Sequence, residues 1–192
     1  SMGAHAMIDG AAISGGFNRL LLLDPTVAEE SAYGPAYQAA FGDTLHPAAK
    51  RRNHFASVEE MIQSLGPKSS FPVFHPRIFR DYCQYGLQRA DAGFVLACPP
   101  EVEAHVYMSA RSNARVYDSA RSLRIPVTIV RARLPAPDGL QDFSSSPTWP
   151  GLAGVFEQAE DIHWADCTHF IPMQRPDEVI DLIRQQVGQE IR

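Results

Sequence analysis

Four consecutive leucines, Leu20–Leu23, are closed by Asp24-Pro25. An apolar run this short, bounded by turn residues, fits a strand covered on both faces, as in a parallel sheet. It is too brief for a buried helix. Val127-Thr128-Ile129-Val130 repeats the pattern, and Ile162-His163-Trp164 is a third, shorter strand candidate. Helical stretches separate them, and that order implies an α/β fold with a parallel sheet. Three strands alone build such a sheet poorly, because parallel strands need both faces covered and both edges managed. The expectation is a sheet completed by polypeptide outside this chain.

The remaining elements are read from local signals. Small and apolar residues over Ala4–Ala12, followed by Ser14-Gly15-Gly16, predict a short helix with a glycine stop. Residues 25–95 show no further buried strand and are expected to be helices joined by loops. Ser57 and Glu60 fit a capping box opening a helix to about Leu65, stopped by Gly66-Pro67. Pro76 opens another, with Gly86 at its end. Lys50-Arg51-Arg52 is read as a solvated face. Pro99–Leu123 holds two helical stretches, and Ser146–Phe156 is a further helix candidate carrying Trp149, Leu152 and Phe156. Pro176 opens the last helix, with Asp177 and Glu178 at its positive end and Val179, Ile180, Ile183 and Val187 as its apolar stripe.

Composition narrows the function classes. Among 192 residues, 17 Lys and Arg face 22 Asp and Glu, a formal charge of −5. That excludes the domain-wide basic field of a nucleic-acid binder. No apolar stretch approaches the length of a membrane span. Cys83, Cys98 and Cys167 form an odd set without CxxC spacing, which suggests neither a disulfide framework nor a thiolate zinc site. His5, His46, His54, His75 and His105 have no ligand-like spacing, so no metal site and no cofactor is expected. His163 is read as a packing residue. No signal-peptide pattern is visible, and a cytoplasmic, reducing setting is the default.

Two stretches carry groups suited to nucleophilic chemistry, which needs a hydroxyl, a base and a carboxylate to orient the base. Ser1-Met2-Gly3 precedes the first helix and the strand that ends at Asp24. Asp166-Cys167-Thr168-His169-Phe170-Ile171-Pro172 follows the third strand and precedes the last helix. Together these resemble the α/β-hydrolase superfamily. Ser1-Met2-Gly3 matches the last three positions of its Gly-x-Ser-x-Gly elbow. Thr168-His169-Phe170-Ile171-Pro172 looks like its histidine loop. Ala49-Lys50-Arg51-Arg52, Phe55-Ala56-Ser57, Tyr82, Gly86 and Cys98-Pro99-Pro100-Glu101 look like the helical cap of a lipase- and esterase-like branch. The resemblance runs from Ser1 to Val187.

The resemblance implies the C-terminal part of such a hydrolase, starting at the nucleophile. Residues 1–24 would be the elbow helix and strand of the core, 25–98 the cap, and 99–192 the rest of the core. The three runs would be the last three parallel strands, completed by a complementary N-terminal chain. Ser1 would be the nucleophile, His169 the base, and the Met2 N–H an oxyanion donor. The acid is left open between Asp24 and Asp138, with Asp142 also in reach; Asp24 is favoured because a strand end anchors it better than a long loop. A further reading lets the α-amine of Ser1 act as its own base. The implied activity is hydrolysis of small carboxylic esters or lactones through an acyl-enzyme. An acyltransferase on the same fold, or a non-catalytic half-scaffold subunit, are the alternatives. No nucleic-acid partner is implied.

Overall fold

The computed structural model describes residues 1–68, 70–136 and 143–188. In chain order the elements are α1 (Gly3–Ser14), β1 (Leu20–Leu23), α2 (Pro35–Ala39), β2 (His54–Phe55), α3 (Val58–Leu65), α4 (Pro76–Tyr85), β3 (Leu87–Ala90), β4 (Gly93–Leu96), α5 (Pro100–Met108), α6 (Arg115–Ser122), β5 (Val127–Arg131), β6 (Ala159–His163), α7 (Ile171–Gln174) and α8 (Pro176–Gly188). The chain divides into two compact units. One is Ser1–Ser31 together with the chain from Ala114 onward, and the other is Ala32–Asn113.

The first unit is built on a parallel sheet of order β1-β5-β6. Leu20 stands opposite Val127 and Leu23 opposite Val130; Val127 in turn faces Ala159. Side chains alternate between the two faces of a strand. Leu21 and Leu23 pack on one face with Val130, Ala132, Cys167, Ile171, Val179 and Leu182, the cluster that seats α7 and α8. Leu20 and Leu22 are buried on the other. There α1 lies against β1 and α6. α1 buries Ala4, Ile8 and Ala11, spaced for one helix face, and ends at Gly15 in the left-handed region, whose N–H bonds Ala11 O.

The structure departs from the sequence reading in three places of this unit. The helix expected over Ser146–Phe156 shrinks to a 3-10 turn at Leu152–Val155. Pro147 and Pro150 remove the donors a helix there would need. The third strand begins at Ala159, earlier than Ile162-His163-Trp164 implied. As an edge strand it is largely exposed, so Glu160 and Asp161 carry no apolar signal, and Asp161 instead pairs with Arg131 at 2.8 Å. In α8 the buried face is Val179, Leu182 and Gln186; Ile180, Ile183 and Val187 are exposed. The helix turns Leu182 toward the cluster, which puts the expected stripe on another side.

The second unit packs α3, α4 and a small antiparallel sheet of order β2-β4-β3 around Phe55, Met61, Cys83, Leu87 and Leu96. The sequence reading missed this sheet because its strands are two to four residues long. Outside Leu87, β3 is exposed, so no apolar run marks it. The capping box forms: Ser57 Oγ accepts from Glu60 N at 3.1 Å, while the Glu60 carboxylate reaches back to Ala56 N at 2.6 Å. Lys50 and Arg52 are exposed, and Arg51 and Arg52 pair with Glu103 and Glu60.

Candidate active site

In a parallel α/β sheet the C-terminal strand ends gather the groups that face a ligand. Asp24 sits at that end of β1. It is fully buried and has φ of +43°, a left-handed conformation that Asp tolerates better than most residues. Proline at 25 further restricts the backbone before it. The Asp24 N–H continues the β1–β5 ladder to Val130 O at 2.7 Å, so the residue enters its turn directly from the strand.

The Asp24 carboxylate is saturated with donors. Oδ1 accepts from Ala132 N at 2.9 Å and Ser146 Oγ at 2.6 Å, with Thr148 Oγ1 3.3 Å away. Oδ2 lies 2.6 Å from His169 Nδ1. A buried carboxylate stays charged only when such donors replace its water. Arg131, at the end of β5, adds positive charge in electrostatic reach of Asp24; its guanidinium is held above its ordinary pKa chiefly by the hydrogen bond to Asp161.

His169 is buried at 6% exposure on the loop between β6 and α7. Gln174 Oε1 accepts from Thr168 N at 2.9 Å and Thr168 Oγ1 at 3.0 Å, which ties that loop to α7. The His169 N–H donates to Phe143 O at 3.2 Å, and the Phe143 ring stacks on the imidazole with centroids 5.3 Å apart. With Nδ1 donating to the carboxylate, Nε2 carries a lone pair. Nε2 lies 3.0 Å from Ser1 Oγ.

Ser1 is exposed and precedes α1, whose first turn begins with Ala4 N donating to Ser1 O at 3.0 Å. Its nitrogen donates to Leu23 O at 3.0 Å, and its Oγ is 3.1 Å from Thr26 Oγ1. The Ser1 nitrogen, the alternative internal base, is thus engaged with the β1 backbone. Met2 occupies the N-cap of α1, where the first N–H groups of a helix have no intrahelical acceptor.

The structure therefore brings Ser1, His169 and Asp24 into one series, hydroxyl to imidazole to carboxylate. Asp138 and Asp142 lie outside the described residues. His163 is exposed at the end of β6. Among the described residues no group of three or more His, Cys, Asp or Glu is arranged to hold a metal. Thr26, Phe143, Ser146 and Thr148 escaped the sequence reading. Nothing in the run of serines at 144–146 marks Ser146 as the one that faces Asp24. Such an arrangement can move a proton from the Ser1 hydroxyl to an imidazole held in one tautomer.

No protein-family model matches the chain, and no curated protein matches it. Solved structures do. A peroxisomal alpha-beta-hydrolase from Saccharomyces cerevisiae superposes with TM-score 0.73 at 16% identity, over 100% of this chain and 52% of its own. An E-2-(acetamidomethylene)succinate hydrolase gives 0.67 at 15% identity, over 98% of this chain and 64% of its own. An esterase from Mycobacterium tuberculosis gives 0.59 at 17% identity, over 96% of this chain and 57% of its own. The chain has the α/β-hydrolase fold in part, spanning between half and two thirds of the length of these structures.

Proposed function

We propose that this chain carries the catalytic residues of a serine hydrolase that cleaves carboxylic esters or lactones. The Ser1–His169–Asp24 series is the observation that carries the reading, and the hydrolases and esterase that share the fold support it. Ser1 Oγ attacks the acyl carbonyl as His169 Nε2 takes its proton. The Asp24 carboxylate holds the Nδ1–H tautomer and stabilises the imidazolium that forms. The alkoxide leaves with the proton returned by His169, and water then attacks the acyl-enzyme by the same route. The Met2 N–H, at the positive end of α1, donates to the oxyanion.

Full activity calls for more polypeptide than this chain. Leu20 N and Asp24 N donate to Pro126 O and Val130 O of the segment containing β5. N–H and C=O groups alternate between the two edges of a strand, so Leu23 O points to the opposite edge. The Ser1 nitrogen bonds that carbonyl. A segment leading into Ser1 would run beside β1 as a further parallel strand and cover its edge. The complementary N-terminal polypeptide would also supply a second oxyanion donor. Losing one such donor typically costs about 3 kcal/mol of transition-state stabilisation.

The test is labelling of the full-length protein with a fluorophosphonate, followed by peptide mass mapping and para-nitrophenyl butyrate turnover. An adduct on Ser1 and loss of turnover in Ser1→Ala are expected. An adduct elsewhere, or undiminished turnover in Ser1→Ala, overturns the reading.

A further inference from the structure

We propose that the segment from Phe143 to Thr148 is the positioning element of the His169–Asp24 pair, with Ser146 as its principal group; this rests on the hydrolytic reading above. One short stretch grips both partners. At the acid, Ser146 Oγ spends its single hydrogen on Asp24 Oδ1 at 2.6 Å and accepts from Thr148 N at 3.1 Å. The Ser146 N–H is itself fixed on Arg133 O at 2.7 Å. Thr148 Oγ1 lies 2.6 Å from Pro25 O and 3.3 Å from Asp24 Oδ1, so it pins the turn that Asp24 opens. At the base, Phe143 supplies a carbonyl to the His169 N–H and a ring stacked at 25° on the imidazole.

The consequence is orientation. A carboxylate can rotate about χ2 and offer either oxygen to the imidazole. The Ala132 N–H and the Ser146 hydroxyl, both on Oδ1, lock that rotation and leave Oδ2 for Nδ1. The Ala132 N–H comes from the residue that follows β5. The other donor is the Ser146 hydroxyl of this segment, while the Thr148 hydroxyl gives its one hydrogen to Pro25 O at 2.6 Å. The hydrogen of the Ser146 hydroxyl is spent on Asp24. Ser146 acts through Asp24.

The experiment compares wild type, Ser146→Ala, Ser146→Thr and Ser1→Ala in the full-length protein. Para-nitrophenyl butyrate kinetics and the downfield proton resonance of the His169–Asp24 hydrogen bond are read together. Loss of the donor frees the carboxylate to turn, so Ser146→Ala should lower kcat about 10- to 100-fold. KM should stay within about twofold of wild type, since no substrate contact is lost. The downfield resonance should shift or broaden in Ser146→Ala and persist in Ser1→Ala. Ser146→Thr, which keeps the hydroxyl, should restore both readouts. If the alanine variant does not fold, Ser146→Cys keeps the volume, weakens the donor and reads the same two quantities. Wild-type kcat and an unmoved resonance in a folded Ser146 variant, with Ser1→Ala inactive, overturn the positioning role and leave the hydrolytic reading standing. Active Ser1→Ala overturns the hydrolytic reading and the positioning role with it.

Discussion

His169 Nδ1 lies 2.6 Å from Asp24 Oδ2, although 145 residues separate them in the chain. The bond joins the end of the first strand to the loop before the last helices. Both groups are buried, so removing one leaves the other short of a hydrogen bond away from water, and that loss costs more than breaking a surface contact.

Replacing Asp24 by Asn keeps the shape and removes the charge. The amide can no longer enforce the Nδ1–H tautomer, so kcat should fall by about four orders of magnitude. Asp138→Asn should leave kcat within about twofold of wild type. Steady-state kinetics on both variants decide between them; a large loss in Asp138→Asn with little in Asp24→Asn reverses the assignment of the acid.

His169→Ala should abolish turnover and also lower stability. The variant strips one partner from a carboxylate that keeps its other two donors, so the cost should be about 1–3 kcal/mol at neutral pH. Urea denaturation measures it. Activity that survives in a folded His169→Ala protein removes the imidazole from the mechanism.

In the second unit, Tyr107 donates to Glu103 Oε1 at 3.4 Å, and Glu103 also pairs with Arg51. Burial first, and the negative charge of Glu103 next, push the Tyr107 phenol up from 10 to about 12. The unfolded chain ionises this phenol near its ordinary value while the folded chain holds the proton. Stability from this group is therefore complete below about pH 10 and is lost as pH rises toward about 12. The urea midpoint of wild type should fall across that window more steeply than that of Tyr107→Phe. Parallel pH curves for the two proteins would refute this.

Gly93 follows the turn between β3 and β4 with φ of +91°, and a Cβ there would stand 2.6 Å from Phe55 O. Neither the backbone angle nor the space suits another residue. Gly93→Ala should destabilise the protein by about 1–3 kcal/mol. Thermal denaturation followed by circular dichroism checks it, and an unchanged melting temperature would show that the hairpin repacks freely.

Where the chain announces its elements to nearby residues, the sequence is a good guide. Leu20–Leu23 and Val127–Val130 form strands because a short apolar run has few other ways to be buried. Ser57 caps α3 because its hydroxyl needs only an N–H three residues on. The reading failed where the local pattern is weak or misleading. β3 and β6 are largely exposed and carry no apolar run, and α8 offers two apolar faces of which packing chose the one with Leu182.

Sequence by itself determined the two apolar strands and the α/β class, which follow from side-chain type and near-neighbour backbone chemistry, while the candidate hydroxyl and imidazole came from the resemblance to the α/β-hydrolase superfamily. Only the tertiary structure decided that Asp24 meets the imidazole, that Ser146 rather than its neighbouring serines faces that carboxylate, and that Phe143 covers the ring. The physical reason is that hydrogen bonds of 2.6–3.0 Å depend on how remote segments pack and in what register, and no local signal encodes that distance.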